Sequence, residues 1–154
     1  MIDHTVHHTN AIRNHADAVN VIFCNVYGFS RQKEADVLMK LCCHSSCFGL
    51  VSFDADKPVG FILLQKAGDT ADVIELGVRA SMRRRGIGRH LLEQGLRLAT
   101  EHGIKRVILD VEVDNRAAYK LYRSAGFELM GKRPNYYQRG KNFKDALILE
   151  RYSD

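Results

Sequence analysis

Apolar residues recur along the chain with two periods, one helical and one alternating, and the switches between them divide it into elements. Ile12, Ala16, Val19, Phe23 and Val26 fall at helical spacing before Gly28, so a helix is predicted over residues 11–26. Residues 32–42 make a second, shorter helix. Residues 48–53 and 59–65 are apolar runs around Asp54-Ala55-Asp56-Lys57-Pro58, a hairpin signal. Gly68-Asp69-Thr70 then turns the chain into a third strand over 72–78, so three antiparallel strands in a row are expected.

After residue 86 the period changes. Ile87, Leu91, Leu92, Leu96 and Ala99 mark one face of a helix that Gly103 ends. Residues 105–113 carry the strongest strand signal: Val107, Leu109, Val111 and Val113 share one face, Ile108, Asp110 and Glu112 the other. Asp114 or Asn115 caps the next helix, which turns Ala118, Leu121 and Tyr122 inward and stops at Gly126. Two last strands, 127–130 and 146–150, flank a polar loop over 132–145. Antiparallel strands followed by a strand–helix–strand crossover predict an α+β fold, a mixed sheet with helices on its faces. No linker or repeat divides the sequence, and residues 1–154 are read as a single domain.

Composition fits a folded, water-soluble domain: 45% hydrophobic, 27% charged and two prolines. No apolar run is long enough to span a membrane, and residues 1–10 are polar and His-rich rather than leader-like. A cytoplasmic protein without membrane attachment is expected. Cys24, Cys42, Cys43 and Cys47 lack paired C-x-x-C spacing, so they are read as small buried hydrophobes in a reducing compartment, with no metal. His4, His7, His8 and His15 are assigned to a polar N-terminal segment.

Charge alters the picture once it is located. The net charge is +5, and residues 79–89, RASMRRRGIGR, hold five arginines and no acid, which accounts for the whole excess. Nucleic-acid binders spread basic residues over a face or a long helix, so no direct nucleic-acid partner is expected. A compact group of arginines beside glycines suits a small phosphorylated ligand. Strand, then Arg83-Arg84-Arg85-Gly86-Ile87-Gly88, then helix lets backbone amides approach an anion, with the helix dipole behind them. Other phosphate motifs fail. The dinucleotide fingerprint lacks its third glycine, and the Walker-like spacing from Gly126 to Lys132 has Arg133 where Ser or Thr is required.

These residues resemble the GNAT superfamily of acetyl-CoA-dependent N-acetyltransferases. Arg83, Gly86 and Gly88 occupy the fixed places of its R/Q-x-x-G-x-G/A pyrophosphate motif. Asp114-Asn115-Arg116-Ala117-Ala118, followed by LYRSAGF over 121–127, looks like its N-x-x-A…LY-x-x-x-GF block. Arg133-Pro134-Asn135-Tyr136-Tyr137 and Asp145-Ala146-Leu147-Ile148-Leu149 are similar to the RimI type, which acetylates the N-terminal alanine of a ribosomal protein. The resemblance runs from residue 48 to residue 151.

It implies antiparallel N-terminal strands and a central parallel pair that splays apart, with acetyl-CoA in the gap. Pantetheine would pair with the backbone of Leu76, Gly77 and Val78. Arg83, Arg84, Arg85, Gly86, Ile87, Gly88 and Arg89 would seat the pyrophosphate, and Asn115 would reach the cofactor from the following helix. Tyr122 matches the position of a general acid, and a phenol with an ordinary pKa of about 10 is protonated at neutral pH. The base is expected on the central strand, where Asp110 stands in place of the Glu of the RimI type, one methylene shorter; Glu75 ranks second and Glu112 third. Asn135, Tyr136 and Tyr137 are expected to shape a peptide groove. The implied acceptor is the N-terminal α-amine of a protein or peptide, such as a ribosomal protein. The alternatives are a small amine of polyamine or aminoglycoside type, or a non-catalytic acyl-CoA-binding module.

Overall fold

The computed structural model describes residues 6–9 and 12–153. Among these residues, four α-helices pack on one sheet of seven strands. The first part of the chain forms β1 (Val6–Thr9), α1 (Ala16–Tyr27), α2 (Gln32–Cys42), β2 (Cys47–Asp54), β3 (Lys57–Ala67) and β4 (Thr70–Val78). The remainder forms α3 (Ile87–Glu101), β5 (Arg106–Glu112), α4 (Arg116–Ser124), β6 (Glu128–Arg139) and β7 (Asn142–Tyr152). In space the strands run β1-β2-β3-β4-β5-β7-β6, antiparallel throughout except for the parallel pair β4–β5. The mixed α+β sheet expected from the sequence is the observed one.

Both faces of the sheet are covered, which is why β2 and β3 read as continuous apolar runs. On one face Leu50, Ile62 and Leu64 pack with Leu91, Leu92 and Leu96 of α3. On the other, Val51, Phe61 and Leu63 pack with Val19, Ile22 and Phe23 of α1 and with Ala35 and Leu38 of α2. Helix α3 lies close on the sheet because Gly95 has no side chain: a Cβ there would stand 3.0 Å from Ile62 Cδ1.

Strands β4 and β5 pair only from Thr70↔Arg106 to Asp72↔Ile108. Beyond that point β4 bonds only β3, and β5 only β7, so the two diverge. At the divergence the β3–β4 register slips: Leu64 faces Val73 while Leu63 faces Glu75, leaving Ile74 as an extra residue in β4. A bulge of this kind bends its strand and re-aims the side chains that follow. Glu75 is the first of them.

Several expectations are corrected. Residues 6–9, read as polar N-terminal chain, form a strand against Val51–Asp54, so four antiparallel strands precede the crossover. The polar loop over 132–145 is a hairpin: β6 and β7 pair from Glu128↔Glu150 to Arg139↔Asn142, with two register slips. Strand β6 is an edge strand with almost no buried residue, so its sequence carries no apolar alternation to find. Asn115, not Asp114, caps α4. Of the four cysteines, all free thiols, only Cys42 is buried, and burial pushes its thiol up to about 12; Cys43 is exposed. His4 lies outside the described residues, as do the side chains of His7 and His8, while His15 meets the Phe53 ring edge-on at 5.1 Å.

Candidate active site

The Arg-Gly segment forms a short helical turn, Ala80–Met82, and then the start of α3. Met82 and Ile87 are buried on either side and anchor it, while Arg83, Arg84, Arg85 and Arg89 extend from the surface. Gly86 caps α3 in the left-handed region at φ 79°, and Arg84 shares that region at φ 62°. The first helical bond runs from His90 N to Gly86 O at 3.0 Å, so the amides of Ile87, Gly88 and Arg89 precede it, as an anion-binding helix start requires. At Gly88 an added Cβ would make only ordinary contacts, 3.6 Å to Val78 and 3.8 Å to Leu121. Packing therefore does not demand this glycine; a ligand lying over the backbone would. Some arginines are already engaged: Arg83 Nε donates to Val78 O at 3.3 Å, and Arg89 reaches Glu93 at 3.0 Å and Ser124 at 3.2 Å.

Next to this turn lies the edge of β4 that β5 has left. Leu76, Gly77 and Val78 pair with Ile62, Phe61 and Gly60 of β3, and no β5 residue pairs with them on their other side. That edge offers amides and carbonyls to an extended ligand such as pantetheine. Gly77 has its own packing reason, since a Cβ would stand 3.0 Å from the Phe61 ring. Asn115 spends its side-chain oxygen on the α4 cap, accepting from Ala118 N at 3.2 Å, and still lines the gap between the strands. Free strand edge, helix amides and exposed arginines together fit acetyl-CoA.

The divergence of β4 and β5 opens a cleft of about 1000 Å³. Glu75 lies on its floor, surrounded by protein yet retaining some contact with cleft solvent. Burial raises its carboxyl to about 7, against the opposing effects of a hydrogen bond from Tyr27 and the nearby Arg31 charge. Tyr27 Oη donates to Glu75 Oε1 at 2.8 Å. Tyr122 of α4 is buried against Phe127, ring centroids 5.8 Å apart. Burial first and the Glu75 charge second hold its phenol above its ordinary value, so it is protonated at neutral pH.

Asp110 and Glu112 line the same cleft but face cations of the β6–β7 hairpin. Glu112 pairs with Arg139. Arg133 Nε stands 3.5 Å from Asp110 Oδ1, an oxygen that is buried and accepts no hydrogen bond. Tyr136 and Tyr137 line the cleft from β6, packed edge-to-face at 5.0 Å, with Arg133 over the first ring and Arg139 over the second. Burial, and then the Asp110 charge, raise the Tyr137 phenol. Asn135 is not among the cleft-lining residues. It takes φ 52° at the β6 register slip and donates its amide to Asp145 Oδ1 at 2.8 Å, so it shapes the strand that carries the two tyrosines.

Tyr27, Arg31 and Glu34 also line the cleft, and the sequence reading did not single them out. They come from the end of α1, the turn that follows it, and α2. The only local signal is an aromatic residue just before Gly28, which ends the helix at φ 78°.

A sequence profile described as the acetyltransferase (GNAT) family matches residues 16–127. Over 94 residues the chain is 34% identical to the ribosomal protein bS18-alanine N-acetyltransferase of Salmonella typhimurium, covering 61% of this chain and 64% of that protein. Over 79 residues it is 44% identical to a mycothiol acetyltransferase of Clavibacter sepedonicus, covering 51% of this chain and 26% of that protein. The chain thus spans less than two thirds of the length of either relative. Its fold matches the crystal structure of the ribosomal-protein-S18-alanine N-acetyltransferase from Escherichia coli with a TM-score of 0.80, at 24% identity and over 94% of this chain and 92% of that one. Matched by the family over well more than half its length, and carrying the family's fold, this chain belongs to the GNAT acetyltransferases, whose acyl donor is acetyl-CoA.

Proposed function

We propose that the protein transfers the acetyl group of acetyl-CoA to the N-terminal α-amine of a protein or peptide, with an alanine-starting chain such as a ribosomal protein as the leading acceptor. The observation that carries this reading is Glu75, a carboxyl raised to about 7 on the floor of a cleft that also holds a protonated Tyr122. Similarity to the alanine N-acetyltransferase of Salmonella typhimurium supports the acceptor. A ribosomal-protein acceptor would put the reaction in the cytoplasm.

Acetyl-CoA, when bound, supplies the acyl group as a thioester. Glu75 takes a proton from the acceptor's ammonium, directly or through one ordered water, and the neutral amine then attacks. Amides of Leu76, Gly77 and Val78 hold the pantetheine arm and polarise the thioester carbonyl. The helix start at Gly86, Ile87 and Gly88, with Arg83, Arg84, Arg85 and Arg89, seats the pyrophosphate, and Asn115 borders the arm. Tyr122 delivers its proton to the departing sulfur and regains one from the acceptor nitrogen as the amide forms. Tyr136 and Tyr137 border the acceptor, and Asn135 sets their strand.

Magnitudes favour an α-amine over lysine. An α-ammonium with pKa of about 7.7–8.0 lies within about one unit of Glu75, so proton transfer is nearly balanced. Lysine at about 10.4 is more than three units away, and about 2.5 units harder to deprotonate than the α-amine, or roughly 3.5 kcal/mol. Asp110 and Glu112, each facing an arginine, are less suited to the base role than Glu75. The same arginines neutralise the groove that a polyamine or aminoglycoside would need to be acidic.

A small-molecule amine remains the second reading, favoured by the 79-residue similarity to a mycothiol acetyltransferase. The deciding experiment is free-thiol release from acetyl-CoA with peptides bearing free N-termini, the same peptides blocked, and a panel of small amines. Transfer to free alanine-starting peptides alone is the expected result. Transfer only to small amines, or equal transfer to blocked lysine-containing peptides, would overturn the acceptor assignment.

A further inference from the structure

We propose that Tyr27 is a positioning residue for the transfer: its phenol fixes one oxygen of Glu75 and keeps the other available for the acceptor's proton. This rests on the reading of Glu75 as the base.

The arrangement is built from the segment that the cofactor motifs do not reach. Tyr27 is the last residue of α1, and Gly28 stops the helix there, so its side chain reaches the cleft floor. Phe23, one turn earlier, packs against its ring at 4.6 Å. Arg31, on the turn after the helix, packs over both rings, its guanidinium carbon 4.1 Å from the Tyr27 centroid and 5.2 Å from that of Phe23. Glu34 holds Arg31 in turn, accepting from its Nε at 3.0 Å. A phenol clamped in this way has lost its rotamer freedom before it binds anything, so its 2.8 Å bond to Glu75 Oε1 costs little further ordering. With Oε1 engaged, Oε2 is the oxygen left for the acceptor. This is the base-and-orienter arrangement of nucleophile-activating sites, with a phenol as the orienter.

The bond also sets when Glu75 ionises. A donor to a carboxylate favours its charged form, opposing the desolvation that dominates here. The groups acting on Glu75 are Tyr27 and Arg31 from the α1 end, Glu34 from α2 and Arg139 from β6; both arginines favour ionisation and Glu34 opposes it. Tyr122 of α4 and Tyr137 of β6 stand near enough to feel the Glu75 charge. Burial and that same charge keep the Tyr27 phenol above its ordinary value, so it remains a donor across the working range.

The test is the Tyr27→Phe variant, which keeps the ring and its clamp and removes only the donor. The acid limb of kcat/KM on an accepted amine should move up by about one to two pH units, with recovery toward the wild-type rate at high pH. The 13C carboxyl titration of Glu75 in glutamate-labelled protein without substrate, assigned with Glu75→Gln, should move by the same amount. Acetyl-CoA affinity should stay the same, and melting temperature should change little below about pH 6, where Glu75 is mostly protonated in either protein. Arg31→Gln, which unclamps Tyr27 and removes a favourable charge, should shift the titration in the same direction and serves if Tyr27→Phe fails to fold. An unmoved titration in the folded variants overturns the proposal. Full activity of Glu75→Gln would instead sink the base reading, while the carboxyl titration would still report on the Tyr27 bond.

Discussion

The two halves of the cleft are built by different means. The half proposed for the cofactor comes from a few local stretches: the end of β4, the Arg-Gly turn, the first turn of α3 and the cap of α4. Its recognition atoms are mostly backbone amides, placed by glycine and helix geometry. The half proposed for the acceptor is assembled from the end of α1, a bulge in β4, the polar face of β5 and an edge hairpin. Its recognition atoms are side chains whose states depend on one another, as Arg31, Tyr27 and Glu75 do. The contrast teaches that one scaffold can keep a donor site set by local geometry while its acceptor site and proton chemistry are set by distant contacts.

The largest expected effect lies on the proton chemistry. Tyr122→Phe should lower kcat by about 100-fold or more while leaving acetyl-CoA binding intact, read by single-turnover transfer beside calorimetric titration. Equal loss of both would erase the division between the halves. The donor half should behave in the opposite way. Gly88→Ala meets only ordinary contacts, so melting should hold while acetyl-CoA affinity falls about tenfold. Gly86→Ala, forced to φ 79°, should also lose about 1 kcal/mol of stability, and denaturant unfolding separates the two.

Glu75 links function to stability. Its folded-state value of about 7 exceeds the ordinary 4.5, so the folded chain keeps a proton that the unfolded chain has released between those values. Stability from this group is therefore full below pH 4.5 and is lost as pH rises through 7. Glu75→Gln should be more stable than wild type at pH 8 by about 1–2 kcal/mol, a figure reduced for the solvent that still reaches the cleft floor, and should match it at low pH. Chemical denaturation at both pH values checks the sign. Asp110→Asn carries the smallest expected effect: kcat should stay within about threefold if Glu75 is the base. A loss of about 100-fold there would return the base to the central strand.

Much of the architecture was legible because it follows from local periodicity. The helix from Ile87, the alternation of Val107, Leu109 and Val111, and the turn at Gly68 are each set by which face is buried. Strand β1 and the part of β6 beyond Met130 were not legible. Both lie at sheet edges, and β6 has no buried residue, so no apolar alternation marks it. The candidate site divides in the same way: the Arg-Gly turn is found by spacing, and Asn115 and Tyr122 by resemblance to a family block, whereas Tyr27 and Arg31 reach Glu75 from 48 and 44 residues away, a separation no local pattern records.

Sequence by itself determined the helices and the inner strands, the covered faces of the sheet, the glycine-capped start of α3 and the set of candidate carboxylates. Only the tertiary structure sets those carboxylates apart. Asp110, Glu112 and Glu75 have the same chemistry in the unfolded chain. Folding places arginines of an edge hairpin opposite the first two and buries the third beneath a phenol. The ionisation of a carboxyl depends on the solvent it loses and the charges it gains, and both are fixed by residues far from it in the chain.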